Sequence, residues 1–203
     1  MSLHQRLFAH ALAWGDAAQH RIYGARKQHL FAGLEGTVVE IGPGTGINLP
    51  YLPEDLRWVG LEPNPHFHDR IRERLAERSL EASLRTDPAQ ATGLPDCSVD
   101  AVISTLVLCS VPDVGETLAE LRRILRPGGR LLFIEHVAAA SHTPLCWLQH
   151  GIRPVWKAVA DGCRPDRKTG TLLHQAGFSD VTLERFRVGL PVVSPHIIGT
   201  ATK

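Results

Sequence analysis

The sequence has almost no net charge. Its 22 Lys and Arg stand against 21 Asp and Glu, which leaves +1 with histidine neutral. A surface without a dominant sign offers no footprint for a polyanion, so nucleic acid is not expected among the partners. Long apolar runs are missing too. The longest, Val99 to Val111, is interrupted by Asp100, Ser104, Thr105 and Ser110, and it is too short to span a bilayer. The N-terminus shows no apolar signal-peptide core and no small-residue cleavage site, so neither a leader nor an integral membrane segment is expected. Paired cysteine motifs are absent: Cys97, Cys109, Cys146 and Cys163 form no C-x-x-C. That pattern points to free thiols in a reducing cytoplasm. No Cys or His group has metal-ligand spacing, so no metal is expected. There is no internal repeat and no low-complexity segment.

What remains is an ordinary globular chain. Its 203 residues are 43% apolar and 21% charged, enough for one domain with a real core and too few for two. Leu3, Leu7, Phe8, Ala11, Trp14, Ala18 and Ile22 recur at helical spacing, which predicts one helix over 3–30. Strands and helices then alternate. Strands are expected at Thr37 to Ile41, Leu56 to Leu61, Ala82 to Thr86, Val99 to Thr105 and Arg130 to Glu135. The fourth is nearly all apolar and so buried on both faces. A charged helix is expected over 65–79, its Arg and Glu residues forming a solvated face. Asp113 and Glu116 make a capping box for a helix that stops at Pro127-Gly128-Gly129. Residues 137–165 break the rhythm, with helical character from Leu145 to Val159. A last helix over 167–176 precedes strands near Val181 to Arg187 and His196 to Ala201. This is the rhythm of a doubly wound α/β fold, a Rossmann-like, seven-stranded, mostly parallel sheet in a single domain over 1–203. The N-terminal helix region (1–33) and the 137–165 insertion after strand five are additions. Ligands of such sheets lie beyond the carboxyl ends of the strands, so the first addition is read as a lid, or else as an amphipathic helix on a membrane surface, and the second as a substrate cap. Oligomeric state is not legible.

The loop after the first strand reads Val38-Val39-Glu40-Ile41-Gly42-Pro43-Gly44-Thr45-Gly46. A dinucleotide fingerprint would be G-x-G-x-x-G, but Ile47 stands where the third glycine belongs. The loop has no Lys or Arg, and Pro43 removes an N–H donor. A carboxylate such as Glu40 about 4–6 Å from a pyrophosphate costs on the order of 1–4 kcal/mol. The same carboxylate favours a nucleoside that carries an ammonium and no phosphate, and S-adenosylmethionine fits that description. Glu62, at the end of the second strand, can accept from ribose hydroxyls. Asp87, after the third, can accept from an adenine amino group or serve as a turn aspartate before Pro88. Thr45, Pro63 and Thr105 complete the candidate cofactor-binding set, with backbone groups at Ala89 and Gln90 as further adenine contacts.

The loop, the acidic "GLEPNP", the "LPDCSVD" before strand four and the "ILRPGG" before strand five together resemble class I S-adenosylmethionine-dependent methyltransferases. "STLVLCSV", "FIEHVAAA", "DGC" and "PHIIGTATK" resemble, more closely, the methyltransferase-like thiol S-methyltransferases over about residues 34–203. The resemblance implies cofactor roles for Glu40, Gly42, Gly44, Gly46 and Glu62, and a thiol as methyl acceptor. The family's mammalian members begin with a hydrophobic membrane anchor, where this chain has an amphipathic helix.

Methyl transfer from a sulfonium is an in-line displacement in which positioning does most of the work. A thiol with a pKa near ~8.5 is a few per cent ionised at neutral pH, so a base helps. His136, at the carboxyl end of strand five, suits proton removal and is the catalytic candidate; otherwise it is a packed strand-end histidine. Tyr23, Cys109, Trp147 and His150 are the substrate-binding candidates. Cys109 otherwise reads as core, as a cysteine in an apolar run more often is, and Trp147 with Trp156 as the insertion's own core. His196 is a further candidate for the acceptor side. Other acceptors (a quinone ring carbon or a phospholipid amine), a non-catalytic cofactor-binding module and an NAD enzyme are the competing readings.

Overall fold

The computed structural model describes residues 3–203. Seven strands form one sheet in the order β3-β2-β1-β4-β5-β7-β6. They are β1 (Thr37–Ile41), β2 (Arg57–Leu61), β3 (Glu81–Arg85), β4 (Val99–Thr105), β5 (Leu125–His136), β6 (Asp180–Arg187) and β7 (Pro195–Thr202). β1 to β5 pair in parallel, and β7 lies antiparallel between β5 and β6. The expected mostly parallel, doubly wound sheet is what forms. β1 and β4 are neighbours at its centre. There the strand order reverses, which opens the crevice that receives a ligand.

Period-two alternation sends successive side chains to opposite faces, and each face has its own core. Val39, Ile41, Leu131 and Phe133 pack with Leu118 and Leu121 of helix α4 (Val114–Ile124) on one side. Val38, Trp58, Ile103 and Leu132 pack on the other with Phe31 of α2 (Asp16–Phe31) and Ile71 of α3 (His68–Ala76). Asp113 caps α4 by accepting from the Glu116 N–H at 3.0 Å, as the sequence leads one to expect.

Three boundaries differ from expectation. The N-terminal helix is two, α1 (Leu3–Trp14) and α2, broken at Gly15, whose N–H closes a tighter turn on the Leu12 carbonyl. The charged helix over 65–79 opens as a 3-10 turn at Pro65–Phe67 and is α-helical only as α3. Pro127-Gly128-Gly129 does not connect helix to strand but lies inside β5. The β4–β5 register skips from Val99↔Leu125 to Ala101↔Arg130 across it, a bulge that Gly128 permits with φ +78°. Beyond β5 come α5 (Pro144–Val159), with Thr143 accepting from the Cys146 N–H and Pro144 in its first turn, and α6 (Thr169–Gln175). Among the described residues no helix is long and apolar enough to cross a membrane.

Candidate active site

The glycine loop leaves β1 at the switch point. Gly42 has φ +54°, and a Cβ there would lie 2.8 Å from Val107, so both conformation and space require glycine. Gly44 and Gly46 also have positive φ, at 57° and 76°. Glu62 ends β2 and accepts from the Gly44 N–H through Oε2 and from the Asn64 N–H through Oε1, each at 2.9 Å. Burial drives its carboxyl up to about 7, against the pull of those two N–H groups. Each oxygen keeps a lone pair for a further donor. Glu40 is 1% exposed and holds the loop from inside. Its Oε1 accepts from Asn48 Nδ2 at 2.8 Å and its Oε2 from Trp58 Nε1 at 2.9 Å. Asn48 also donates to Thr105 Oγ1 at 3.0 Å, tying the end of β4 to the same brace. Trp58 in turn needs Gly60, since a Cβ there would sit 2.2 Å from the indole.

The N-terminal helices lie across this loop. Thr45 Oγ1 donates to Asp16 Oδ1 at 2.9 Å, and Arg74 Nη2 donates to Asp16 Oδ2 at 2.6 Å. A Cβ on Gly44 would lie 3.4 Å from Leu12 of α1. From α2 comes Lys27, fully buried, whose Nζ has no hydrogen-bond partner. Burial lowers its ammonium to about 8, while Glu40 and Asp16 raise it. A buried ammonium without an acceptor costs several kcal/mol. The amino-acid end of the expected nucleoside carries a carboxylate that would satisfy it. That orphaned cation, the acid at the end of β2 and the glycine turn are a donor and acceptor set that fits S-adenosylmethionine. The sequence gives no sign of Lys27, which reads as one more polar residue of a helix; only its burial marks it.

The other cofactor candidates are looser. Pro63 is exposed, beside Glu62. Asp87 is paired with Arg85, whose Nε donates to it at 2.8 Å and holds its carboxyl below the usual range. Ala89 is buried in the core and Gln90 half-buried.

A second group assembles at the carboxyl ends of β4 and β5. Glu135 is fully buried. Its Oε1 takes Ser104 Oγ at 2.6 Å and the Val107 and Leu108 N–H groups at 3.1 Å each, so it clamps the loop after β4 onto β5. That loop carries Cys109. The next residue, His136, places Nε2 3.0 Å from Cys163 Sγ, and Trp156 Nε1 donates to the same sulfur at 3.3 Å. The Cys163 thiol is pulled well down by a hydrogen bond from Cys109, then by His136 and Trp156, and Cys109 is pushed up. Of the two thiols, Cys163 is thus the readier to ionise. His136 Nε2 is engaged by that sulfur, and its Nδ1 is buried and without a partner. Alongside, His196 Nδ1 donates to the Ser194 carbonyl at 3.1 Å, so its Nε2 accepts from the Tyr23 hydroxyl at 2.8 Å. Burial lowers His196 to about 4, which keeps it neutral.

The structure thus brings Tyr23, Cys109, His136 and His196 together near the cofactor loop. Trp147 and His150 are not brought there. Both lie on the outer side of α5, Trp147 66% exposed, and His150 Nδ1 is spent on the Cys146 carbonyl at 2.8 Å. Trp156, not Trp147, faces the cluster.

Comparison with known proteins agrees with this geometry. A family profile described as "Methyltransferase domain" matches residues 39–133. Human thiol S-methyltransferase TMT1B is 35% identical over 97% of this chain and 86% of its own. Human thiol S-methyltransferase TMT1A is 37% identical over 85% of this chain and 74% of its own. Among solved structures, an S-adenosylmethionine-dependent methyltransferase from Thermotoga maritima superposes with a TM-score of 0.71 at 22% identity, covering 100% of both chains. The YcgJ protein of Bacillus subtilis gives 0.72 at 13% identity over 91% of this chain and 98% of its own. These two speak for the fold alone. Together with the site, the sequence relatives show that the chain is a class I S-adenosylmethionine-dependent methyltransferase and belongs to the thiol S-methyltransferase family.

Proposed function

We propose that this enzyme methylates the sulfur of a small thiol. The observation that carries the reading is the buried His136 ring. One nitrogen is engaged by Cys163, and the other is buried with no partner, at the carboxyl end of β5. The relatives named as thiol S-methyltransferases support the same acceptor.

S-adenosylmethionine, when bound, supplies an electrophilic methyl group on a sulfonium. Lys27 is assigned to its carboxylate, Glu62 to the ribose hydroxyls and the Gly42–Gly46 turn to close backbone approach, with Glu40 bracing that turn. Asp87, Ala89 and Gln90 border the adenine end. α1 and α2 act as a lid that excludes water. His136 draws off the acceptor's proton, and Tyr23 and Cys109 line the space beside it. The insertion contributes Trp156 and Cys163 rather than its exposed face. The four cysteines are unpaired, in keeping with the cytoplasmic setting expected from the sequence.

The test is a product assay. Purified enzyme and S-adenosylmethionine are offered hydrogen sulfide, alkyl and aryl thiols, amines, phenols and a quinol, and methylated products are quantified by mass spectrometry. Turnover confined to thiols is expected. His136→Ala should lower kcat by about 100-fold or more while S-adenosylhomocysteine still binds. Turnover on amine or quinol with none on thiols would overturn the reading.

A further inference from the structure

Three ligand-type side chains converge that no sequence spacing joins. The sulfurs of Cys109 and Cys163 and a ring nitrogen of His136 lie within 4.8 Å of one another, and all three residues are buried. Zinc held tetrahedrally by thiolates at ~2.3 Å and imidazole at ~2.0 Å sets its donors about 3.5–3.8 Å apart. Only small side-chain rotations separate the observed cluster from that arrangement.

The backbone around the cluster is already fixed. Glu135 holds the loop bearing Cys109 through the Val107 and Leu108 N–H groups. Arg167 Nη1 donates to the Leu108 and Val111 carbonyls, both at 2.7 Å, closing the same loop from the other side. The Arg164 N–H donates to the Cys109 carbonyl at 2.9 Å, so the segment carrying Cys163 is stitched directly to the loop carrying Cys109. His136 is set by the β5–β7 ladder opposite His196. Three chain segments thus hold three donors with their own hydrogen bonds, and the Trp156 N–H supplies the outer contact to a sulfur that tunes and orients a ligand.

Two sulfurs and one imidazole select a soft or borderline divalent ion, and three protein ligands leave one tetrahedral position open. We propose that Cys109, His136 and Cys163 form a zinc site whose fourth ligand is the thiol acceptor. The acceptor sulfur bonds to the ion as its S–H bond breaks, and the proton leaves to water. His136 then acts as a ligand, and the ion holds the acceptor as thiolate beside the cofactor loop. A thiol is the acceptor best matched to such a position, which would account for acceptor choice. This last point rests on the thiol reading; the metal site does not.

The experiment starts with full-length protein expressed with added zinc and measured by elemental mass spectrometry after gel filtration. One zinc per chain is expected, and so is a sulfur-to-cobalt charge-transfer band after exchange with cobalt(II). A thiol that the enzyme methylates should shift the cobalt d–d bands. Cys163→Ser should weaken zinc binding by more than about 100-fold, and Trp156→Phe, which keeps all three ligands, by about tenfold. S-adenosylhomocysteine binding reports that each variant is folded, and the wild-type cobalt spectrum needs no variant. Folded protein without zinc or cobalt bands overturns the site, as does an intact mass showing Cys109 and Cys163 joined as a disulfide. In either case His136 acts as the base alone, and thiol turnover in the product assay still decides the acceptor. Cobalt bands that no methylated thiol moves overturn the open position.

Discussion

At the scale of single residues, Lys27 and Glu62 carry opposite burdens. Lys27 is an ammonium kept from water with no hydrogen-bond acceptor and only the Tyr51 ring, 5.7 Å from its Nζ, to face. Met has a similar unbranched shape and no charge to desolvate, so Lys27→Met should stabilise the ligand-free protein by about 1–3 kcal/mol. The same change removes a charge-assisted bond worth about 1.5–3 kcal/mol, which should weaken S-adenosylmethionine binding by roughly 10- to 100-fold. Thermal melts and calorimetric titration read the two effects separately. A variant that is less stable and binds normally would show Lys27 to be structural. The sequence cannot show this residue, because a lysine's role depends on where a helix face lands, and helix α2 carries polar residues around most of its circumference.

At the scale of elements, the N-terminal pair of helices is fastened to the cofactor loop mainly by Asp16, which meets both Thr45 and Arg74. Asp16→Ala leaves the partly exposed Arg74 without its ion-pair partner and with only the longer 3.4 Å contact to Thr45 Oγ1, a loss of about 1–3 kcal/mol after allowance for solvent. The opening of α1 should therefore become easier. Hydrogen exchange at α1 amides should speed up by about tenfold or more, with core strands β1 and β4 unaffected. Unchanged exchange in α1 would remove Asp16 from the fastening of these helices. The element boundaries teach the same lesson. Helical periodicity runs through Gly15 without a break, yet α1 stops there, where the Gly15 N–H closes on the Leu12 carbonyl and the next residue, Asp16, meets the loop.

At the scale of the whole molecule, pH couples cofactor and stability. Glu62 has a folded pKa of about 7 against an ordinary 4.5, with burial the main cause. A raised carboxyl keeps its proton longer folded than unfolded, so its contribution to stability falls as pH rises from about 4.5 through 7. Glu40 and Glu135 are shifted in the same direction, also by burial. With Glu62 assigned to the ribose hydroxyls, which would donate to its ionised form, bound cofactor should favour that form. The rise in Tm caused by saturating S-adenosylhomocysteine should therefore grow between pH 5.5 and 8. Below pH 7 its Kd should weaken by up to about tenfold per unit. Glu62→Gln should bind weakly and flatten both dependences. A wild-type Tm shift independent of pH would detach Glu62 from the ligand.

Sequence alone determined the sheet and its cofactor end. Short, nearly continuous apolar runs between turn signals suit strands buried on both faces, and Gly42, Gly44 and Gly46 stand where positive φ is needed. An acid two residues before that turn already speaks against a phosphate. These are local properties, written within about ten residues of chain. The acceptor end was legible only as scattered residues. His136 shows itself by its place at a strand end, but Trp147 and His150 differ from Trp156 only in which way α5 turns them. Cys109, His136 and Cys163 come from three segments with no common spacing. Their meeting depends on β4 and β5 pairing in register, on Glu135 and Arg167 holding the loop between them, and on the Arg164 N–H reaching the Cys109 carbonyl. Contacts between segments distant in sequence arise when the whole core closes, so tertiary structure, and not any stretch of sequence, decided which side chains gather at the carboxyl ends of β4 and β5.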